Sequence, residues 1–195
     1  MNSVVDAIRL NKQLRVIGFD DAPFSKQNDS LVNVSGIVCS NTRFEGMLWG
    51  QVYRDGDDAT DSLIELVSKS KYQSQLHAIL IDGIAFGGFN IVDLPTLSEA
   101  LSLPCIAVMR KMPALQAIDR ALQNFEDYQV RLELIKRAGD IYQHGPFYFQ
   151  CAGIDNENAG IVLERVTDTG KVPESLRLAH LIGSAIKTGE SSNRA

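Results

Sequence analysis

Leu76–Asp93 reads LHAILIDGIAFGGFNIVD, an apolar run that stops at a carboxylate followed by a glycine-rich turn. Leu76, Ala78, Ile79, Leu80 and Ile81 predict a strand covered on both faces, the state of a central strand in an α/β sheet. Asp82 falls at its carboxyl end, and open α/β sheets bind ligands outside the carboxyl ends of their strands. Gly83, Gly87 and Gly88 suit a backbone that turns sharply or lets another group approach. For this motif alone the structural alternative is an aspartate solvating a strand end, with the glycines serving only the turn.

Toward the N-terminus, Leu14–Phe19 predicts a second apolar strand ending in acid, at Asp20 and Asp21. Pro23 stops regular pairing, and SKQNDS at 25–30 predicts a polar loop. Leu31–Ser40 and Arg43–Arg54 carry the β-branched and aromatic content of two more strands, antiparallel and joined by short loops. Trp49 and Tyr53 are expected to pack on a sheet face. Asp57 or Asp58, in the turn DGDDAT at 55–60, is placed to cap a helix whose apolar side is Leu63, Ile64, Leu66 and Val67.

Toward the C-terminus, Leu94–Leu103 predicts a short helix and Pro104–Met109 a buried strand, which calls for a right-handed parallel crossover. Pro113–Phe125 and Asp127–Ala138 predict helices, the second ended by Gly139. Pro146–Cys151 predicts an edge strand, and Glu157–Val166 and Glu174–Lys187 predict helices. Residues 1–13 and 188–195 are expected to be flexible ends of a single domain spanning 1–195.

Composition narrows the function classes. The 195 residues are 45% hydrophobic and 22% charged, with a net charge of −5, which fits a globular domain and not a broadly basic coat for nucleic acid. No segment reaches the roughly 20 apolar residues of a membrane span, and no secretion signal is read, so a cytoplasmic protein is expected. Cys39, Cys105 and Cys151 lie in apolar runs without metal-ligand spacing and are expected to be reduced thiols. No stretch has the lysine and serine or threonine ending of a P-loop.

Antiparallel strands followed by strand–helix–strand crossovers fit an α/β fold of the ribonuclease H type, a mixed five- or six-stranded sheet flanked by helices. In that arrangement Asp20 and Asp82 end adjacent strands. Two close carboxylates repel unless a cation neutralises them, and Mg2+ or Mn2+ suits carboxylate, water and phosphate oxygens. The chemistry expected is metal-assisted phosphodiester hydrolysis.

GFDDAPF at 18–24, DGDDAT at 55–60, LIDGIAFGGFNIVDLP at 80–95, LPCIAVMRKMP at 103–113 and PESLRLAHLIGSAI at 173–186 closely resemble the DUF99 family, also called UPF0215. That family in turn resembles endonuclease V, a ribonuclease H-like enzyme that cuts nucleic acid near deaminated bases with a divalent metal. The resemblance implies a metal site of Asp20, Asp82 and an acid near the first long helix. For that acid Asp58 is the best substitute for the family's glutamate, with Asp57 and Asp55 behind it. It further implies His180 as a catalytic residue and Arg110 near the substrate phosphate.

Two departures stand out. Endonuclease V's Pro-Tyr-Ile-Pro wedge has no counterpart in QVYRDGDD, and the His-Pro-Arg after its Asp-Gly turn is replaced by FGGFN. Phe24, Phe86 and Phe89 could instead supply apolar walls for a base, although aromatics beside a glycine turn more often serve as hydrophobic plugs. Losing the wedge should weaken lesion selectivity before hydrolysis, so cutting of single-stranded or looped nucleic acid with little base preference is expected.

On the last helix, Arg177, His180, Ser184 and Lys187 form a polar stripe and Leu178, Ile182, Ala185 and Ile186 an apolar one. If the polar stripe faces the acids, His180 can orient water and Arg177 can hold a phosphate; Gly83, Gly87 and Gly88 complete the substrate-binding set. His77 and His144 are expected to be ordinary flanking residues. The alternatives are a nucleic-acid- or nucleotide-binding protein that kept the fold without cleavage, and a structural protein whose acids serve only turns and caps.

Overall fold

The computed structural model describes residues 3–25 and 27–192. In chain order its strands are β1 (Arg15–Asp21), β2 (Leu31–Ser40), β3 (Arg43–Tyr53), β4 (Ala78–Asp82), β5 (Ala85–Phe86), β6 (Asn90–Ile91), β7 (Cys105–Met109), β8 (Tyr142–His144) and β9 (Phe147–Ala152). Its helices are α1 (Val4–Arg9), α2 (Ala59–Ser68), α3 (Leu94–Leu101), α4 (Leu115–Leu122), α5 (Tyr128–Arg137), α6 (Asn156–Arg165) and α7 (Glu174–Thr188).

Seven strands form one mixed sheet in the order β3-β2-β1-β4-β7-β9-β8, while β5 and β6 make a separate small hairpin. β1 runs antiparallel to β2 and parallel to β4, and β4 runs parallel to β7. This is the mixed α/β arrangement expected, but the strand count is seven and not five or six. The difference lies at 142–152, where the chain reverses at Gly145, with φ of +54°. The strand expected at the sheet edge is therefore interior β9, flanked by β7 on one side and by β8 on the other. Among the described residues no helix is long and apolar enough to cross a membrane.

Strand alternation divides the core between the two sheet faces. Ile17, Phe19, Ile79, Ile81 and Ala107 pack under α2 and α3, while Val16, Ala78, Leu80, Ile106 and Val108 pack under α1 and α6. Each fully buried Ile, Leu or Val contributes roughly 1.5–3 kcal/mol, so burial of both faces holds the β1 and β4 ends in register. α1 is capped by Ser3, whose hydroxyl accepts from the Asp6 N–H, and its Val4 and Ala7 are buried. At the other end Gly189 closes α7 at φ +93°, and the Ser191 hydroxyl donates to Leu181 O. Of the two ends expected to be flexible, residues 1–2 and 193–195 lie outside the described residues, as does Lys26 of the polar loop.

α7 sits unusually close to the sheet. A Cβ on Gly18 would collide with the Ser175 side chain and lie 2.9 Å from the Leu176 N, so glycine lets the helix start rest on β1. The buried face of α7 is consequently Ser175, Leu176, Ala179, Gly183 and Ser184, a row dominated by small residues. The expected apolar stripe is corrected on this point: Ile186 is exposed, and Leu178 and Ile182 only flank the Ile37–Cys39–Ala179 cluster. Tyr53 also departs from expectation, being exposed on the outermost strand β3. Cys39 and Cys105 are buried free thiols and Cys151 is half-buried.

Candidate active site

The parallel ladder pairs Phe19 with Ile81, and the next residue on each strand is Asp20 and Asp82. Neighbouring strands lie about 4.8 Å apart, so these carboxylates share one face at adjacent strand ends. Together with Asp21, Phe24, Arg110 and His180 they line an open cleft of about 520 Å³. β1, β4, the segment after β7 and α7 thus converge on one point.

His180 Nδ1 lies 2.9 Å from Asp20 Oδ2. α7 delivers it there because the Ser35 hydroxyl on β2 donates to Ala179 O at 2.7 Å, fixing the preceding turn of helix. The hydrogen bond with Asp20 holds the His180 imidazolium above its usual range, against the opposing effect of burial. Arg110 Nη2 donates to Asp82 Oδ2 at 3.3 Å and remains 40% exposed, leaving donor capacity for an incoming anion. Burial and then the neighbouring Asp20 push the Asp82 carboxyl up, with Arg110 working against them.

Asp21 was not singled out from the sequence, yet it lines the same cleft. Its Oδ2 accepts the Gly87 N–H at 2.7 Å, and burial followed by repulsion from Asp20 raises its carboxyl to about 6. The tandem Asp20-Asp21 was the available signal. Alternation sends the two side chains to opposite faces, so a shared cleft follows only because both sit at the strand end.

Asp58 does not join this cluster. Its Oδ1 accepts from the Tyr53 N–H at 3.0 Å and from Asn90 Nδ2 at 2.6 Å. Nor does its side chain cap α2; Asn90 Oδ1 instead accepts the Ala59 N–H at 2.9 Å. Asp57 is exposed, and Asp55 Oδ1 accepts the Phe89 N–H at 2.9 Å. The DGDD turn therefore clasps the β5–β6 hairpin. Arg131 completes the clasp, donating to Asp55 O at 2.8 Å, to Gly56 O at 3.1 Å and to Phe89 O. Its guanidinium also stacks 4.5 Å from the Phe125 ring centroid.

Arg177 is likewise turned away from the expected role, held by its own helix in a bidentate pair with Glu174 at 2.7 and 2.8 Å. Ser184 donates weakly to Glu190 O, and Lys187 pairs with Asp29 at 3.1 Å. Gly83, Gly87 and Gly88 all have positive φ, of 74°, 53° and 102°. Gly87 binds Asp21, whereas a Cβ on Gly88 would strike the Asp55 carboxylate. Phe86 is a core residue. His77 Nδ1 accepts the Arg15 N–H at 3.0 Å, and His144 pairs with Glu164 at 3.0 Å.

Phe89 lines a second cavity of about 260 Å³, with Gly83, Ile84, Met109, Ile135 and Gln150 among its other walls. Asp82 and Arg110 face the acid cleft, while their chain neighbours Gly83 and Met109 face this apolar pocket. Two consecutive-residue steps therefore join the cavities.

Among the described residues no three His, Cys, Asp or Glu side chains form a ready-made metal set. The donor chemistry nevertheless fits Mg2+ or Mn2+, which commonly uses one or two carboxylates and completes its shell with water and substrate phosphate. Asp20 and Asp82 supply hard oxygen donors, and a cation would offset both the burial and the repulsion from Asp20 that raise the carboxyls of Asp82 and Asp21.

The strand order and the acids at the β1 and β4 ends define a ribonuclease H-like fold of the endonuclease V kind. Endonuclease V from Ciona intestinalis, solved with DNA containing an inosine, is 18% identical, with a TM-score of 0.55 over 87% of this chain and 84% of that one. A family profile described as Endonuclease dU matches residues 12–187, and the chain belongs to that family. A UPF0215 protein from Methanothermobacter thermautotrophicus is 40% identical over 96% of this chain and 94% of its own. A solved protein from Archaeoglobus fulgidus is 35% identical, with a TM-score of 0.85 over 89% of this chain and 98% of that one.

Proposed function

We propose that this chain is a divalent-metal-dependent nuclease of the endonuclease V type, hydrolysing a phosphodiester bond of nucleic acid beside a base lodged in the apolar pocket. The observation that carries the reading is the convergence of Asp20, Asp82, Arg110 and His180 in one cleft from four separate parts of the chain. Asp20 and Asp82 would hold Mg2+ or Mn2+, which supplies Lewis-acid polarisation of the phosphate and lowers the pKa of bound water. Arg110 pairs with a phosphate oxygen through the donors that Asp82 leaves free. His180, oriented by Asp20, positions the attacking water or hands a proton to the leaving oxygen.

The family name, Endonuclease dU, and the neighbouring pocket also bear on base preference. An endonuclease acting at dU needs a place for a displaced base, and a pocket of about 260 Å³ lies below the ~300–1,000 Å³ typical of drug-sized ligands, in keeping with one nucleobase. The missing wedge bears on opening a duplex, whereas this pocket supports recognition of a base that is already displaced.

The test is Mn2+ titration calorimetry on the wild type and Asp82→Asn, beside cleavage assays on uracil- and inosine-containing oligonucleotides with metal and with chelator. Metal binding and cleavage that both disappear in Asp82→Asn support the proposal. Metal-independent cutting, or cutting equal in the variant, rejects it; nucleic-acid binding without any cleavage points to the binding protein that kept the fold.

A further inference from the structure

Among the described residues, Gln150 is the one polar side chain in the wall of the apolar pocket, and it is only 4% exposed. It lies on β9 opposite Ala107, beneath the same sheet face as Met109. Its Nε2 donates to Gly139 O at 2.8 Å. That bond sets the amide orientation, since turning it over would bring two oxygens together. Oε1 is left without a donor among the described residues. With Nε2 tied to Gly139, Oε1 is the polar atom that Gln150 has free where it lines the pocket.

We infer that Gln150 Oε1 is the acceptor that reads the ring N–H of a deaminated base seated in this pocket. The inference rests on the proposed nuclease reading and deepens it by naming the substrate feature. Uracil carries N3–H and hypoxanthine carries N1–H, each beside a carbonyl. Their parent bases, cytosine and adenine, present a bare nitrogen lone pair at the same ring position. A fixed, desolvated acceptor meets a donor in the first pair and another lone pair in the second, and the pocket's apolar walls offer no water to compensate. The exocyclic amine of either parent is one ring position away, so reaching Oε1 requires the base to slide against Phe89 and Ile135. Thymine keeps the ring N–H, and its methyl group has to be excluded by the walls.

Fluorescence anisotropy with single-stranded oligonucleotides differing at one base, in Ca2+ to slow cleavage, tests this directly. The probes carry uracil, N3-methyluracil or cytosine. Wild type should bind the uracil probe at least about tenfold more tightly than the other two, the scale of one buried acceptor left unmatched. Gln150→Leu, checked for folding by thermal melting, should bring all three within about threefold by weakening uracil alone. Retention of the uracil preference in a folded Gln150→Leu overturns the assignment of Gln150 and leaves the nuclease reading intact. Equal binding of uracil and N3-methyluracil by wild type overturns it even where the variant does not fold. Failure of wild type to bind any probe overturns both readings.

Discussion

His180 of α7 and Asp20 of β1, 160 positions apart in the chain, meet at 2.9 Å across the gap that Gly18 leaves open. Because that closeness depends on a missing Cβ two residues before the acid, Gly18→Ala should lift the start of α7. Overpacking of this kind costs roughly 1–3 kcal/mol. On the proposed nuclease reading cleavage should fall with it as His180 withdraws from Asp20, whereas His180→Asn, which keeps a donor to Asp20, should lower the rate by about 10²–10⁴-fold with little change in melting temperature. Thermal melts beside single-turnover rates distinguish the two variants, and an unshifted melt for Gly18→Ala would contradict the packing argument.

The Asp21 carboxyl, raised to about 6, gives a signed pH dependence. A raised carboxyl is protonated in the fold while still ionised in the unfolded chain. Its favourable contribution is therefore present below about pH 4, near the unfolded pKa, and is lost as pH rises through about 6. Asp21→Asn retains an acceptor for the Gly87 N–H and removes the charge. In chelator it should stabilise the protein by roughly 1–3 kcal/mol at pH 7 and by almost nothing at pH 4. Urea denaturation at the two pH values measures this; equal gains at both would remove the electrostatic explanation.

Asp58 and Asp82 should separate cleanly. Asp58 holds the Tyr53 N–H and Asn90, so Asp58→Ala leaves partners unpaired and should cost about 1–3 kcal/mol of stability while Mn2+ affinity is retained. On the proposed reading Asp82→Asn should show the reverse pattern, with metal affinity lost and stability in chelator kept or increased, since burial and then Asp20 disfavour its charge. Calorimetry and melting on the same two proteins provide the comparison. Loss of metal binding in a stable Asp58→Ala would return Asp58 to the metal site.

Arg131 is buried and forks across three carbonyls belonging to two loops. Removing a buried charged partner typically costs about 3–5 kcal/mol, and Arg131→Met should fall in that range. Arg131→Lys should recover only a minor part, because an ammonium lacks the planar fork. Proteolysis within 84–91 should accelerate in both variants. Unchanged cutting there would mean that the hairpin is held by Asp55 and Asp58 without Arg131.

The sequence by itself determined the long strands and helices and the placing of two acids. Apolar runs ending in Asp20 and Asp82 specify strands whose carboxyl ends carry charge, because burial on two faces leaves an acid only the strand end. The order of those runs then sets them side by side. Motif resemblance added His180 and Arg110, and both line the cleft. What only the tertiary structure decided was the use of the remaining polar groups. Asp58 and Arg177 read as site residues, yet each has nearer partners, in Asn90 and Glu174, that linear spacing did not weigh. Asp21 read only as a second acid at the end of its strand, and Gln150 carried no separate signal. Their environments come from Gly87, Gly139 and the walls around Phe89, brought in from other parts of the chain. A side chain's type and its strand position are local facts, but whether its last hydrogen bond is met by the fold or left for a ligand depends on contacts between segments far apart in sequence.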